Sequence, residues 1–394
     1  MKATLAIVMS AMLLVLSIPA HVSFAAEEST QKSAMLDNVS SAILIEQDTG
    51  KVLLEKNAEK ELPPASMTKI MTLLLIFKAL DHHDISLTDK VRISEHAASM
   101  GGSQVYLEPG EEMTVNDLLK AIAIGSANDA SMAMAEYIAG SEQEFVKKMN
   151  EEVKTLGLKH THFNNPTGLP ENDHYSTASD MAKMAQALLQ YPDVLKYTSL
   201  YESYLRENTD NKFWLVNTNK LLKAYPGVDG LKTGFTNEAK YCLTATAKRD
   251  GMRVIAVVMG APTSKERNRE ITQLFDYAFA NYKTKPILAK GKVVKEVTIS
   301  KSEEGTVPIV TQRPVVVLLK KGTGAATPKL KTDIVINKNL KAPMKKGTVV
   351  GSYEVKDGQK VLSSTPLIVS TNIHEAGYWQ LLKRSVGKMT NWSW

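Results

Sequence analysis

Between Ser66 and Leu80 the chain is apolar on almost every side of a helical wheel, with Lys69 and Lys78 as the only charges. A helix without a polar face must be enclosed by other elements, so this segment demands a domain with structure packed all around it. The 394 residues, 43% hydrophobic, are enough for such a core and a second domain.

The surrounding pattern predicts an α+β domain over residues 26–285, an antiparallel sheet covered by helices. Ser41–Ile45 and Lys51–Glu55 read as strands around the turn Asp48-Thr49-Gly50. Val115–Ile138 and Phe145–Leu156 read as helices, and Thr177-Ala178-Ser179-Asp180 as a capping box opening a helix over Met181–Gln190. Tyr241–Ala247 and Met252–Met259 flank Asp250-Gly251, a two-residue hairpin signal, and Glu266–Tyr282 closes the domain as a helix. Short β-rich runs then predict a small all-β domain over residues 286–372. That domain carries a net charge of +9, whereas residues 26–285 carry −6. A basic β-domain suits an anionic surface, or is a solvated lysine-rich face.

Both ends read as addresses. Lys2, the apolar run Ala3–Ile18 and Ser23-Phe24-Ala25 form an export signal over residues 1–25. Ile373, Ala376, Trp379, Leu382, Val386, Met389 and Trp392 recur at helical spacing beside Lys383, Arg384 and Lys388. Residues 373–394 therefore predict an amphipathic helix lying on a membrane surface, too polar to cross one; the ordinary alternative is a terminal helix docked on its own domain. The expected place is outside the cytoplasmic membrane, facing the cell wall, and export excludes nucleic acid as a partner. The single cysteine, Cys242, forbids an intramolecular disulfide and reads as a buried structural thiol. His82, His83, His160 and His162 lack metal-ligand spacing, so no metal or cofactor is expected.

Three short motifs carry chemistry. In Ser66-Met67-Thr68-Lys69 the lysine lies three residues beyond the serine, on the same face of a buried helix. A serine hydroxyl needs a base, and a neutral amine can serve once burial and a second cation lower its pKa from about 10.4. The helix N-terminus also suits a developing oxyanion. Ser126-Ala127-Asn128 joins two apolar segments, where polar side chains are costly unless they face a cleft. Lys232-Thr233-Gly234 opens a strand; Lys232 and Thr233 can hold a carboxylate, while Gly234 lets a substrate backbone lie close. Taken singly, each has an ordinary alternative: a surface helix pair, a helix–loop cap, an edge-strand lysine.

Together, 60 and 106 residues apart, the motifs resemble the signature of penicillin-recognising serine enzymes. With Pro64–Lys69, Ser94–Ser103 and Asn165-Pro166-Thr167-Gly168-Leu169, the chain resembles low-molecular-mass penicillin-binding proteins, the D-alanyl-D-alanine carboxypeptidases of Gram-positive spore formers. The resemblance implies peptidoglycan stem peptides ending in D-Ala–D-Ala as substrates and β-lactams as covalent inhibitors. It implies Ser66 as the acylated residue, Lys69 as base, and Ser126 as proton relay to the leaving D-alanine. Asn128 and Lys232 would order the network, and backbone N–H groups of Ser66 and Phe235 would form the oxyanion hole. Thr233 and Arg267 would bind the terminal carboxylate, with Arg269 a neighbouring candidate. Ala127 stands where these enzymes more often have glycine, and its methyl is expected to narrow the cleft. No Glu-x-x-Leu-Asn segment follows the second motif, which counts against a class A β-lactamase; the alternatives are a β-lactamase or endopeptidase of the same superfamily, or a penicillin-binding sensor that is acylated and stops.

Overall fold

The computed structural model describes residues 36–322 and 329–382. Residues Asn38–Trp394 form one compact unit; Met1–Asp37 separates as another, of which only Leu36 and Asp37 are described. The expected export signal lies outside the described residues.

Strands β1 (Ser41–Glu46) and β2 (Val52–Lys56) pair antiparallel. Their turn is built by Glu46, whose buried carboxylate accepts from the amides of Asp48 and Thr49 at 3.0 and 2.9 Å. The apolar segment forms one 3₁₀ turn, Ala65–Thr68, and then helix α1 (Lys69–Asp81). The sequence reads as helical over Val115–Ile138, with the second motif joining two apolar segments, and the structure ends one helix and starts the next at that motif. Helix α2 (Val115–Lys120) passes into a wide turn, Ala121–Gly125, and Ser126 adopts φ +62° before α3 (Asn128–Ala139) begins. The left-handed residue ends the first helix as a C-terminal cap does, and turns the chain before the second motif is complete.

Helix α4 (Glu142–Thr155) starts earlier than the apolar spacing indicates, because the Ser141 hydroxyl accepts from the amide of Glu144. Thr177 caps α5 (Ala178–Leu188) in the same way. Strands β3 (Val228–Thr236), β4 (Lys240–Arg249) and β5 (Met252–Ala261) complete a sheet in the order β2-β1-β5-β4-β3, antiparallel throughout. At the β4–β5 turn Asp250 and Gly251 take φ +49° and +80°, as a two-residue hairpin requires.

Strand alternation divides the two faces of this sheet. Ile43, Ile45, Ile255, Val257 and Met259 join Met67, Ile70, Leu74, Met181 and Leu188 in one core. Ala42, Leu44, Val254, Ala256 and Val258 point the other way and are equally buried. On that side lies helix α6 (Ser264–Asn281), capped by Thr263 and packed on β4 and β5. Burying each large side chain contributes roughly 1.5–3 kcal/mol, so a sheet covered on both faces is a rigid platform.

The β-rich part follows α6 without a linker. Strand β6 (Tyr282–Leu288) pairs with β9 (Val315–Lys320). Strands β7 (Val293–Thr298), β8 (Thr306–Thr311), β10 (Leu330–Ile336), β11 (Val349–Asp357) and β12 (Lys360–Val369) form a second sheet, ordered β7-β8-β12-β11-β10. Two residues of the expected tail stripe belong to this domain instead. Ile373 is buried in its core and exchanges backbone hydrogen bonds with Met344, while the buried Ala376 donates its amide to Lys301. Helical structure begins at Tyr378, where Trp379 is 78% exposed. Val386, Met389 and Trp392 lie outside the described residues.

Candidate active site

The 3₁₀ turn explains how Lys69 meets Ser66. At three residues per turn, side chains at i and i+3 eclipse, so the lysine stands directly over the serine. Lys69 Nζ lies 3.1 Å from Ser66 Oγ, 2.6 Å from Asn128 Oδ1 and 2.7 Å from the carbonyl oxygen of Thr167. Asn128 Oδ1 and the Thr167 carbonyl can only accept. A neutral amine gives its two N–H groups to them and aims its lone pair at the serine hydroxyl. Lys69 is fully buried, and this burial, with the Lys232 cation nearby, holds its pKa well below the ordinary lysine value; Asp129 opposes the shift.

The turn is held from two sides. Ala65 carries φ +49°, and a Cβ on Gly168 would sit 1.9 Å from the Ala65 carbonyl oxygen. Gly168 stays in place because Asn165 Oδ1 accepts from the Gly168 amide at 2.8 Å and from the Thr167 hydroxyl at 2.9 Å. The other side is Gly234, where a Cβ would lie 2.8 Å from the Pro64 carbonyl oxygen and 3.3 Å from the Met67 amide nitrogen. The glycine of the third motif thus admits the Ser66 turn itself against β3. The expectation that it makes room for substrate backbone misses this closer neighbour.

Ser126 is buried where the chain reverses, two residues ahead of Asn128, and its hydroxyl makes no hydrogen bond to another described residue. Asn128 is fixed by its own amide groups: Nδ2 donates to Gly101 O and the backbone N–H to Ser103 O, both at 2.7 Å. That leaves Oδ1 facing Lys69. Ala127 is fully buried in the core, so its methyl packs inward and does not narrow the cleft.

Strand β3 is the sheet's edge, and its open side can pair with an extended peptide. Lys232 is 1% exposed and donates to the Thr233 carbonyl. Burial, then the Arg267 cation, brings its pKa down to about 7. The Thr233 hydroxyl shares a 2.6 Å hydrogen bond with Thr218. Phe235 is half exposed, its ring stacked 4.4 Å from that of Tyr241. Arg267 is 5% exposed and bonds Asn268 Oδ1; among the described residues it has no carboxylate partner. Arg269 is exposed and paired with Glu270, so the buried arginine beside Lys232 is Arg267.

Cys242 is buried and free, its thiol pushed up to about 11 by burial. Of the histidines, His160 finds Glu61 at 2.9 Å, an acidic partner 99 residues away that local spacing does not reveal. Sequence reasoning also passes over Thr218 and Asp129, and names Thr167 only as part of a family-like segment, without a role. Thr167 acts through its carbonyl, which no side-chain motif encodes. Asp129 is a buried carboxylate adjoining the second motif, and its position after Asn128 was the available signal.

A buried lysine beside a helix-opening serine, an edge strand and a buried arginine with no carboxylate partner among the described residues together suit acyl transfer on a peptide with a free carboxylate. Residues 27–263 match the D-alanyl-D-alanine carboxypeptidase family, and residues 282–375 match the C-terminal domain of penicillin-binding protein 5. The chain is 53% identical over 367 residues to the D-alanyl-D-alanine carboxypeptidase DacF of Bacillus subtilis, covering 93% of this chain and 94% of that one. It is 36% identical to DacA of Escherichia coli, covering 86% and 84%. Penicillin-binding protein 5 of Haemophilus influenzae superposes with a TM-score of 0.66 at 32% identity, covering 86% of this chain and 98% of that one. The penicillin-binding protein D2 of Listeria monocytogenes, in its ampicillin-bound form, gives 0.56 at 33% identity, covering 61% and 98%. The chain belongs to the D-alanyl-D-alanine carboxypeptidases, a family of serine-type peptidases with the penicillin-binding fold.

Proposed function

We propose that this protein removes the terminal D-alanine from peptidoglycan stem pentapeptides, with Ser66 as nucleophile. The observation that carries the reading is Lys69 Nζ, buried 3.1 Å from Ser66 Oγ with acceptors for both its N–H groups. Neutral Lys69 takes the Ser66 proton as Oγ attacks the D-Ala–D-Ala carbonyl carbon. The backbone N–H groups of Ser66 and Phe235 receive the oxyanion. As the C–N bond breaks, Ser126 passes a proton to the departing D-alanine amine, and water then hydrolyses the Ser66 ester to release the tetrapeptide. Asn128 and Lys232 order this network. Thr233 and Arg267 hold the substrate's terminal carboxylate; an arginine fork gives charge-assisted, directional bonds that an amide end cannot match. Gly234 keeps the Ser66 turn against the strand.

The same reading covers location. Residues 1–25 direct export, and the tail beyond Ala376 holds the enzyme on the outer face of the cytoplasmic membrane. The exposed Tyr378, Trp379 and Leu382 support this placement. No helix among the described residues is long and apolar enough to cross a membrane.

Two measurements test the enzyme. Labelled penicillin should form an adduct that peptide mass spectrometry maps to Ser66 and that Ser66→Ala abolishes. A pentapeptide ending in D-Ala–D-Ala should release D-alanine far faster than its C-terminal amide releases D-alaninamide, and Arg267→Ala should narrow that gap. Equal rates on acid and amide would indicate an endopeptidase. Penicillin labelling without peptide turnover would indicate a sensor.

A further inference from the structure

The loop 101–107 forms one wall beside Asn128 and contains no helix or strand. Among the described residues, six hydrogen bonds hold it, and three residues supply all of them. Asn128 donates to the carbonyls of Gly101 and Ser103, both at 2.7 Å. Asp129 Oδ2 accepts from the amides of Val105 and Leu107 at 2.9 and 3.1 Å. Arg206 donates from Nη1 to Val105 O at 3.2 Å and from Nη2 to Tyr106 O at 3.3 Å. Val105 is thus gripped at its N–H by Asp129 and at its C=O by Arg206.

Arg206 does not belong to the three motifs. It ends the strand Glu202–Leu205, with φ +51°, on a hairpin closed by Phe213–Val216. Its guanidinium is aimed by a two-pronged pair with Glu111: Nε to Oε1 at 2.6 Å and Nη2 to Oε2 at 2.8 Å. The pair is largely enclosed, with 12% and 21% of the two side chains exposed. A planar fork that satisfies a carboxylate and two carbonyls is a task for which lysine cannot substitute.

We propose that Arg206, aimed by Glu111, is a positioning residue for acylation, acting through the 101–107 loop on Asn128. The inference rests on the Ser66–Lys69 reading above. The loop presents Gly101 O, which receives Asn128 Nδ2 and thereby keeps Asn128 Oδ1 turned toward Lys69. Gly102, between the two accepting carbonyls, has φ +80°, and a Cβ there would lie 2.8 Å from Asn128 Nδ2. The fit between loop and amide therefore has no slack. Release of Val105 and Tyr106 lets the loop drift, the amide rotate and Lys69 lose one of its two fixed acceptors.

The test is a double-mutant cycle on the full chain, read as the acylation rate of Ser66 by a fluorescent penicillin, with Tm recorded for each variant. Arg206→Ala should slow acylation by about 10- to 100-fold, the scale of a misplacement near 1 Å, with half-saturation changed less than about twofold. In the Asn128→Ala background, Arg206→Ala should change the rate by less than about twofold, because the residue it acts through is gone. Arg206→Lys should fail to restore the rate, while Glu111→Gln, which keeps one acceptor, should lose less. If Arg206→Ala does not fold, Arg206→Lys enters the cycle in its place. Acylation within about twofold of the parent, or a loss that adds fully to that of Asn128→Ala, overturns the proposal. Loss of labelling on Ser66→Ala tests the underlying mechanism separately, so the two readings fail independently.

Discussion

Gly234→Ala probes the tightest contact between the third motif and the serine turn. The added Cβ would lie 2.8 Å from Pro64 O, 3.2 Å from Ala65 Cβ and 3.3 Å from the Met67 nitrogen. Comfortable carbon contacts begin near about 3.5 Å, so the turn must retreat by about half an ångström. It has nowhere to go: Ala65 is already in the left-handed region, and its carbonyl abuts Gly168 on the far side. Overpacking of this kind costs about 1–3 kcal/mol, seen as a lower Tm. The displacement also moves Ser66 relative to Lys69 Nζ, whose other two contacts hold the amine in place. Because a shift near 1 Å can cost about 100-fold in rate, acylation should fall by about 10- to 100-fold. The assay is time-resolved labelling with fluorescent penicillin beside a thermal melt. Gly377→Ala, where a Cβ meets nothing within 4 Å, serves as control. Acylation at the parent rate would refute the reasoning, and so would a lowered Tm with unchanged acylation, since the turn would then yield without carrying Ser66 along.

Three further outcomes are expected. Lys69→Ala should reduce acylation by at least the ~10²–10⁴ that a general base supplies, whereas Lys232→Ala should be milder and raise the half-saturating substrate concentration; normal labelling of Lys69→Ala would require another base. Neutral Lys69 is the competent form, so acylation should fall as pH drops through its lowered pKa. Lys232 must be charged to attract a carboxylate, so half-saturation should rise as pH climbs through about 7; a pH–rate profile of both parameters checks the two signs. A stop after Ala376 should free the enzyme from membranes with hydrolysis intact, read by cell fractionation, whereas a stop after Asn372 also strips Ile373 from the β-domain core and should lower Tm.

The Ser66–Lys69 pairing and the edge strand that carries Lys232 were legible because each motif is contiguous and sits on a regular element. The sheet was legible for the same reason: period-2 apolar runs flank Asp250-Gly251 and Asp48-Thr49-Gly50. What escaped is chemistry delivered by backbone. The Thr167 carbonyl on Lys69 and the Gly101 carbonyl on Asn128 leave no side-chain signature. The exact break, at Ser126–Ala127, escaped because Ala121 to Ile124 and Ala127 are apolar and fully buried, so hydrophobic spacing continues through the widened last turn and past the helix end. Gly234 and Ala127 were both assigned to the cleft, since sequence gives a residue's size but not its neighbour. Ile373 and Ala376 fit the tail's helical spacing by chance of register, and tertiary burial claimed them for the β-domain.

The site's electrostatics follow from cations that, among the described residues, have no carboxylate partner. Arg267 cannot shed its proton and, among the described residues, meets no carboxylate; its charge depresses Lys232, and Lys232 in turn depresses Lys69. Asp129, which opposes the shift of Lys69, is engaged by the amides of Val105 and Leu107 and only moderates the effect. A chain of cations is costly to bury, and it gains a favourable partner only when a carboxylate arrives. A carboxylate beside Arg267 offsets that charge and favours the protonated form of Lys232, which sustains the downward pull of Lys232 on Lys69. On the proposed reading, one set of positive charges both recognises the substrate's end and keeps Lys69 neutral, which couples recognition of a free terminus to activation of Ser66.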